Sequence, residues 1–287
     1  MTVSATDSQA AVVHLVTPGL EGEEEDLPPA LVAALRRHWP RVAVWPVADG
    51  EAEQIRCLAA LPPGEPVLLV PARDAGPELG KLVAGRVAVA AGRVLPGSRL
   101  DTWVVENYRA GYLAGKHLVN LKHQEVAFLG PAGESPAAGE RLRGFRQALA
   151  HNGRQLPPKR VAQVAPDPVA VAEACRRWWS EEPGPTALFA ASAQLAAWAV
   201  EALEELGKTV PGDVALVAYG GGMLARAVRP RLTAVVPPLE ELARQAAAAL
   251  AQRAAAGRQA GDVRAEPERL APRLIIRQSC GLRAAGA

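Results

Sequence analysis

The feature that most constrains this chain is a rhythm: short apolar runs rich in Val, Leu and Ala are each followed by a longer helical stretch, then by another run. The first series is AVVHLV (11–16), VAVWPV (42–47), PVLLVPA (66–72) and VAVAAG (87–92), with helices expected at 28–38, 51–60 and 77–84. Such runs, with little polar alternation, suit parallel strands buried on both faces, and right-handed crossovers then place helices on both sides of the sheet. A second series starts near residue 104, with strands EVAFLG (125–130), RVAQVA (160–165), ALFAAS (187–192) and DVALVAYG (213–220). Its helices are expected near 107–121, 138–151, 168–180 and 194–206. Two consecutive α/β sets in one chain predict two lobes. A late helix, 239–256, follows Pro237 and Pro238 and stops at Gly257, and RLIIRQS (273–279) reads as a last strand.

With 287 residues, 49% of them hydrophobic, the chain can bury two medium cores. Its 32 basic and 30 acidic residues leave a charge of +2, which points to neither nucleic acid, membrane nor a strongly charged partner. Cys57, Cys175 and Cys280 lie far apart in apolar or helical contexts, so they build neither a disulfide framework nor a Cys-x-x-Cys metal site. A reducing compartment fits. The opening MTVSATDSQA lacks the basic and apolar parts of a secretory signal, and no run is long enough to span a membrane. A cytoplasmic location is expected.

Candidate chemistry is thin. Gly133-Glu134-Ser135-Pro136-Ala137 approaches a nucleophile elbow, but only His151 follows it, too soon for a hydrolase triad. GPELGK (76–81) is one residue short of a phosphate loop and reads as a helix start, and no Gly-x-Gly-x-x-Gly follows a strand. His117 and His123 lack a third metal ligand and read as a packed or capping pair. EGEEED (21–26) reads as a solvated loop, and of Trp178 and Trp179 one should pack on the sheet. No catalytic residue, metal site or cofactor is therefore expected, and the chain is not read as an enzyme.

Several motifs in order carry a family likeness. In ENYRAGYLAGKHLVNLKHQEVAFLG (106–130), Asn107, Gly111, His117, Leu118 and His123 fit the pattern of LacI/GalR regulators, while Glu106 and Lys122 depart from it. RLRGFRQAL (141–149), the segment from Pro185 to Gly221, RPRLTAV (229–235) and the terminal LIIRQS continue the resemblance over about residues 11–281. The resemblance implies an α/β fold of two Rossmann-like lobes, periplasmic-binding-protein-like of type I, with three hinge crossovers and a ligand cleft between lobes. One lobe would comprise 11–105 plus 237–264, the other 106–236 plus 265–287.

By the same resemblance the effector would be lined by Thr17, Arg141, Ser192, Tyr219 and Gly220. The family's Asn-Asp strand end is here Ser192-Ala193, and its Gly-Tyr-Asp-Asp corner reads Ala218-Tyr219-Gly220-Gly221. Glycine has no side chain with which to accept hydrogen bonds from sugar hydroxyls. With the corner acids gone, the Arg141 fork should favour an anionic small molecule, a sugar-like one being the other reading, and a degenerate pocket a third. Arg141→Ala should then abolish ligand-induced stabilisation and leave the fold intact. The implied function is the effector-sensing domain of a LacI-type transcriptional regulator that signals by lobe closure. Two alternatives share the fold: a transport-type solute-binding protein, which would need an export signal, and a stand-alone sensor without DNA binding. The family's helix-turn-helix headpiece is not recognisable before the first strand, so DNA contact would come only through a headpiece not present in this chain. A homodimer is expected, with the alanine-rich helix 239–256 as a flat packing surface.

Overall fold

A computed structural model describes residues 12–18, 27–48, 50–133, 135–180, 183–259 and 266–281. The expected loop at 21–26 and both chain ends lie outside them. The chain forms two compact units: Met1–Val105 with Leu239–Leu270, and Glu106–Pro238 with Ala271–Ala287. In chain order the first stretch holds β1 (Val12–Pro18), α1 (Leu27–Leu35), β2 (Arg41–Val47), α2 (Glu51–Ala60), β3 (Val67–Leu69), α3 (Pro77–Ala84), β4 (Ala88–Ala91) and β5 (Thr102–Val105). The second holds α4 (Asn107–Asn120), β6 (Val126–Pro131), α5 (Pro136–Ala150), β7 (Val161–Val164), α6 (Pro168–Trp179), β8 (Ala187–Ala190), α7 (Ala193–Glu205), β9 (Ala215–Tyr219), α8 (Met223–Ala227) and β10 (Thr233–Val236). α9 (Leu239–Ala256) and β11 (Glu268–Leu270) return to the first unit, and β12 (Arg273–Ile275) ends in the second.

Each unit is an α/β sandwich around one six-stranded sheet, of order β11-β5-β4-β3-β1-β2 in the first and β12-β10-β9-β8-β6-β7 in the second. All pairings are parallel except β10 with β12. The buried strands explain why polar alternation is missing: successive side chains enter different cores on opposite faces. Val13 and Leu15 join Leu31 of α1 and Leu242, Ala246 and Leu250 of α9, whereas Val16 and Leu69 join Leu58 of α2 and Leu79 of α3. In the second unit Ala127 and Leu129 face Val171 of α6 and Leu203 of α7, while Val126 and Phe128 face Leu118 of α4 and Phe145 of α5.

One expectation needs correction. Residues 266–270 were expected in the second lobe, but Glu268–Leu270 pairs in parallel with Trp103–Val105, which ties this stretch to the first sheet. As its assignment to the first lobe implies, α9 packs into the core of the first unit through Leu242, Ala243, Ala246, Ala247 and Leu250. The end of α9 is pinned there by Arg253, whose Nε and Nη2 donate to Asp101 Oδ2 at 2.7 and 2.6 Å.

The tightest packing in the second unit is between α4 and α5. A Cβ on Gly111 would stand on the carbonyl of Arg141, and one on Gly144 on the carbonyl of Tyr108. Only glycine allows two helix backbones to approach so closely. Trp178 is fully buried and donates from Nε1 to the Lys159 carbonyl at 2.8 Å, while Trp179 is half-buried against its edge.

Candidate functional site

Open parallel sheets offer ligands the carboxyl ends of their strands, where loops and helix N-termini converge. In the second unit this edge carries Ser192 after β8, Tyr219 as the last residue of β9, and the first turns of α4 and α5. Arg141 belongs to the second turn of α5. Only 1% of its surface is exposed, its Cζ lies 4.1 Å from the centroid of the Tyr219 ring, and its Nη1 donates to Asn107 Oδ1 at 2.7 Å. Arg141 and Tyr219 thus come together as one unit, completed by Asn107. Asn107 was recognisable in the sequence only as part of a motif, without a role.

Ser192, expected at the strand end, lies two residues beyond the last residue of β8, Ala190, and its hydroxyl oxygen accepts from the Leu195 N–H at 3.1 Å and so caps α7. Gly220 adopts φ +97°, and its N–H donates to the Val235 carbonyl at 2.9 Å. The position is conformationally costly for a side chain, though open in space: a Cβ there would come no nearer than 3.7 Å to Ala193. At Gly221 the reverse holds, since a Cβ would lie 2.5 Å from Val236 Cγ2. Valine therefore fills the place beside the corner where the family pattern has its second acid.

Thr17 lies in the first unit, at the carboxyl end of β1, where it is buried and donates to the Pro18 carbonyl at 3.0 Å. The same edge holds residues that sequence reasoning missed. Asp74 Oδ1 accepts from Glu51 N at 2.8 Å, and Glu51 Oε1 accepts from Gly76 N at 2.9 Å and Leu79 N at 3.1 Å. The carboxylates thus serve the N-termini of α2 and α3, where the helix dipole favours negative charge. Gln54, fully buried, grips the loop after β3 by donating to the Val70 carbonyl at 2.7 Å and accepting from Ala72 N at 2.9 Å. Capping by a residue about 25 positions away leaves no local sequence pattern.

The other motifs resolve as structure. Ser135 accepts from Ala138 N at 3.2 Å and caps α5, with Pro136 in its first turn, and Pro77 opens α3 in the same way. His117 is buried in the last turn of α4, and burial first, then the charge of His123, holds its pKa below the usual imidazole value. His123 Nδ1 is 3.0 Å from Thr186 Oγ1; burial and then Arg154 lower its pKa as well. Cys175 is buried, which pushes its thiol up to about 12 and leaves it inert. Among the described residues no group of three or more His, Cys, Asp or Glu is placed to hold a metal ion, and no helix is long and apolar enough to cross a membrane.

The sequence pattern of the periplasmic binding protein-like domain matches residues 116–280. The HTH-type transcriptional regulator DegA of Bacillus subtilis is 29% identical over 182 residues, 63% of this chain and 52% of DegA. The HTH-type transcriptional repressor PurR of Escherichia coli is 32% identical over 180 residues, 61% of this chain and 51% of PurR. The chain spans about half the length of the curated relatives it matches. Among solved structures, a chain from Sanguibacter keddieii assigned to the LacI family of transcriptional regulators superposes with a TM-score of 0.78 at 29% identity, covering 95% of this chain and all 100% of the other. The transcriptional regulator CelR, solved as a cellobiose complex, superposes with a TM-score of 0.77 at 25% identity, covering 93% of this chain and 84% of CelR. The relatives are transcriptional regulators and none of these is named as an enzyme.

Proposed function

This chain belongs to the periplasmic binding protein-like domain family in the form carried by LacI-type regulators, and from that premise we propose that it is the effector-sensing part of a cytoplasmic transcriptional regulator. A small molecule binds at the carboxyl edges of the strands and shifts a pre-existing equilibrium of the protein. DNA contact belongs to a separate headpiece. The chain itself carries out no catalysis.

The observation that carries this reading is the assembly of Arg141, Tyr219 and Asn107 on that edge. A buried guanidinium positioned by a neutral amide and an aromatic face presents a preoriented fork of donors at this edge. An oxyanion on the ligand gains most there. The corner supports the same preference, because Gly220 and Gly221 bring no side-chain carboxylate to accept from a sugar hydroxyl. A phosphate- or carboxylate-bearing effector is therefore favoured over a neutral sugar such as the cellobiose of CelR.

Self-association is part of the proposal. Among the described residues, adjacent exposed apolar side chains that a second copy could cover lie on edge strand β2, where Val44 and Trp45 are each 43% exposed. Light scattering at micromolar concentration tests the homodimer, and a monomer of both the parent and a Trp45→Lys variant would remove it.

The effector is found by a thermal-shift screen of sugars, phosphosugars, nucleobases and amino acids, since binding to the native state raises stability by mass action. The expected result is a rise in Tm with an anionic compound that Arg141→Lys abolishes. A rise with neutral sugars alone, or one that Arg141→Lys leaves intact, rejects the assignment of this site.

A further inference from the structure

The second sheet has an opposite, amino edge, and like charge gathers there. β10 begins at this edge with Thr233, and antiparallel β12 ends at it, since Ala234 pairs with Ile275. The α8–β10 loop and the residues after β12 are laced together. Arg231 N donates to Gln278 Oε1 at 3.0 Å, Gln278 N and Ser279 N donate back to the Arg231 carbonyl, and Arg277 N donates to Thr233 Oγ1 at 2.8 Å. This lacing sets the chain at Arg231 beside that at Arg277, and Arg226, in the last turn of α8, is near enough for its charge to act on Arg277. Arg277 is half-buried and donates Nη1 to the Leu232 carbonyl. Burial first, and then the charges of Arg226 and Arg231, hold its pKa below the usual guanidinium value. Arg229 closes α8 by donating Nη1 to the carbonyls of Arg226, Ala227 and Val228 at 3.0, 2.8 and 3.2 Å.

Four exposed arginines of this chain pair with a glutamate three residues before them: Glu53–Arg56, Glu106–Arg109, Glu140–Arg143 and Glu241–Arg244. At this edge none does. Among the described residues Arg226, Arg229, Arg231 and Arg277 form no ion pair with a carboxylate. The acid that precedes β9 on the same edge, Asp213, is taken up by the N–H and hydroxyl of Thr209. Like charges gathered in this way oppose folding, and among the described residues no carboxylate pairs with them.

We propose that Arg226, Arg231 and Arg277 form a second binding site, on the amino edge of the second sheet, for a small phosphoryl oxyanion. Guanidinium forks match phosphate oxygens, and several of them together match a group bearing two or more negative charges. The site is separate from the effector site, which uses the other edge of the same sheet, and it does not depend on that reading.

The test is thermal melting of the parent, of an Arg226→Gln/Arg231→Gln double variant and of Arg141→Lys, each with and without pyrophosphate at an ionic strength matched with sodium chloride. For the parent, a rise of about 5 °C is expected at roughly a hundredfold excess over Kd. Arg141→Lys should show the same rise. The double variant should show none, and without pyrophosphate it should melt at or above the parent because repulsion is relieved. The site is rejected if the double variant keeps the rise, if chloride alone produces it, or if the double variant melts below the parent or fails to fold, since the arginines would then serve the fold.

Discussion

The guanidinium of Arg141 lies over the ring of Tyr219, 4.1 Å from its centroid, and donates to the side chain of Asn107 at 2.7 Å. A desolvated cation–π contact is worth about 2 kcal/mol and a hydrogen bond from a charged group about 1.5–3 kcal/mol. Arg141→Ala should therefore cost stability as well as ligand binding. Urea unfolding should show a loss of about 3 kcal/mol for Arg141→Ala, and a smaller loss for Arg141→Lys, which keeps the charge without the fork. An unchanged midpoint for Arg141→Ala would mean that the stacked arrangement contributes nothing.

The glycines between α4 and α5 make a sharper forecast. Gly111→Ala places a methyl group on the Arg141 carbonyl, and Gly144→Ala places one on the Tyr108 carbonyl; in each case the obstacle is backbone, which cannot rotate away. Each substitution should cost more than about 3 kcal/mol, at the upper end of overpacking effects. Gly139→Ala on the same helix meets nothing within 4 Å and should be neutral or slightly stabilising. Circular dichroism melts of the three variants check the contrast.

Acid should weaken the second unit. His117 and His123 both have folded pKa values below the ordinary 6.5, chiefly because burial disfavours the charged ring. The unfolded chain then takes up more protons as pH falls. The contribution of these groups is complete above pH 6.5 and is lost as pH falls towards their folded values. Melting temperature should decline from pH 7.5 to 5.5, and His117→Phe, which removes a buried ring nitrogen without a hydrogen-bond partner, should flatten that decline. An equal slope in the variant would place the acid sensitivity elsewhere.

Which parts of this were legible depends on how local each cause is. α2, α3 and α9 have the bounds read from the sequence because helix breakers sit beside them: Gly50, the Gly76-Pro77 pair, and Pro238 with Gly257. β5 and β11 escaped because Thr102–Val105 and Glu268–Leu270 are short and polar at one end, and are defined by pairing with distant strands, β5 with β4 and β11, and β11 with β5. The expected strand at 273–279 stops at Ile275, where the Arg277 N–H turns to the Thr233 hydroxyl. At the site, Arg141 and Tyr219 could be named through the family likeness, but not that they would stack, nor that Asn107, 34 residues away, would hold the guanidinium. The capping of α3 by Glu51 is equally non-local.

The corner of the second sheet offers a test of why this chain lacks the family's acids. Val236 ends β10, and its Cγ2 and Cγ1 lie 2.5 and 2.6 Å from where a Cβ on Gly221 would stand. An aspartate cannot be restored at 221 while that valine keeps its rotamer, so Gly221→Asp alone should be destabilising by about 1–3 kcal/mol through overpacking. Val236→Ala removes both obstructing methyl groups and, on a half-buried residue, should cost about 1 kcal/mol. Combined, the two changes should cost clearly less than their sum, with a coupling of about 1 kcal/mol or more, because the second makes room for the first. Denaturant unfolding of the four proteins in the cycle measures this. The double variant is also the natural one to screen against neutral sugars, since it returns a hydroxyl acceptor to the corner beside Tyr219. Strict additivity would show that Val236 does not control the corner, and that the glycines there reflect backbone conformation alone.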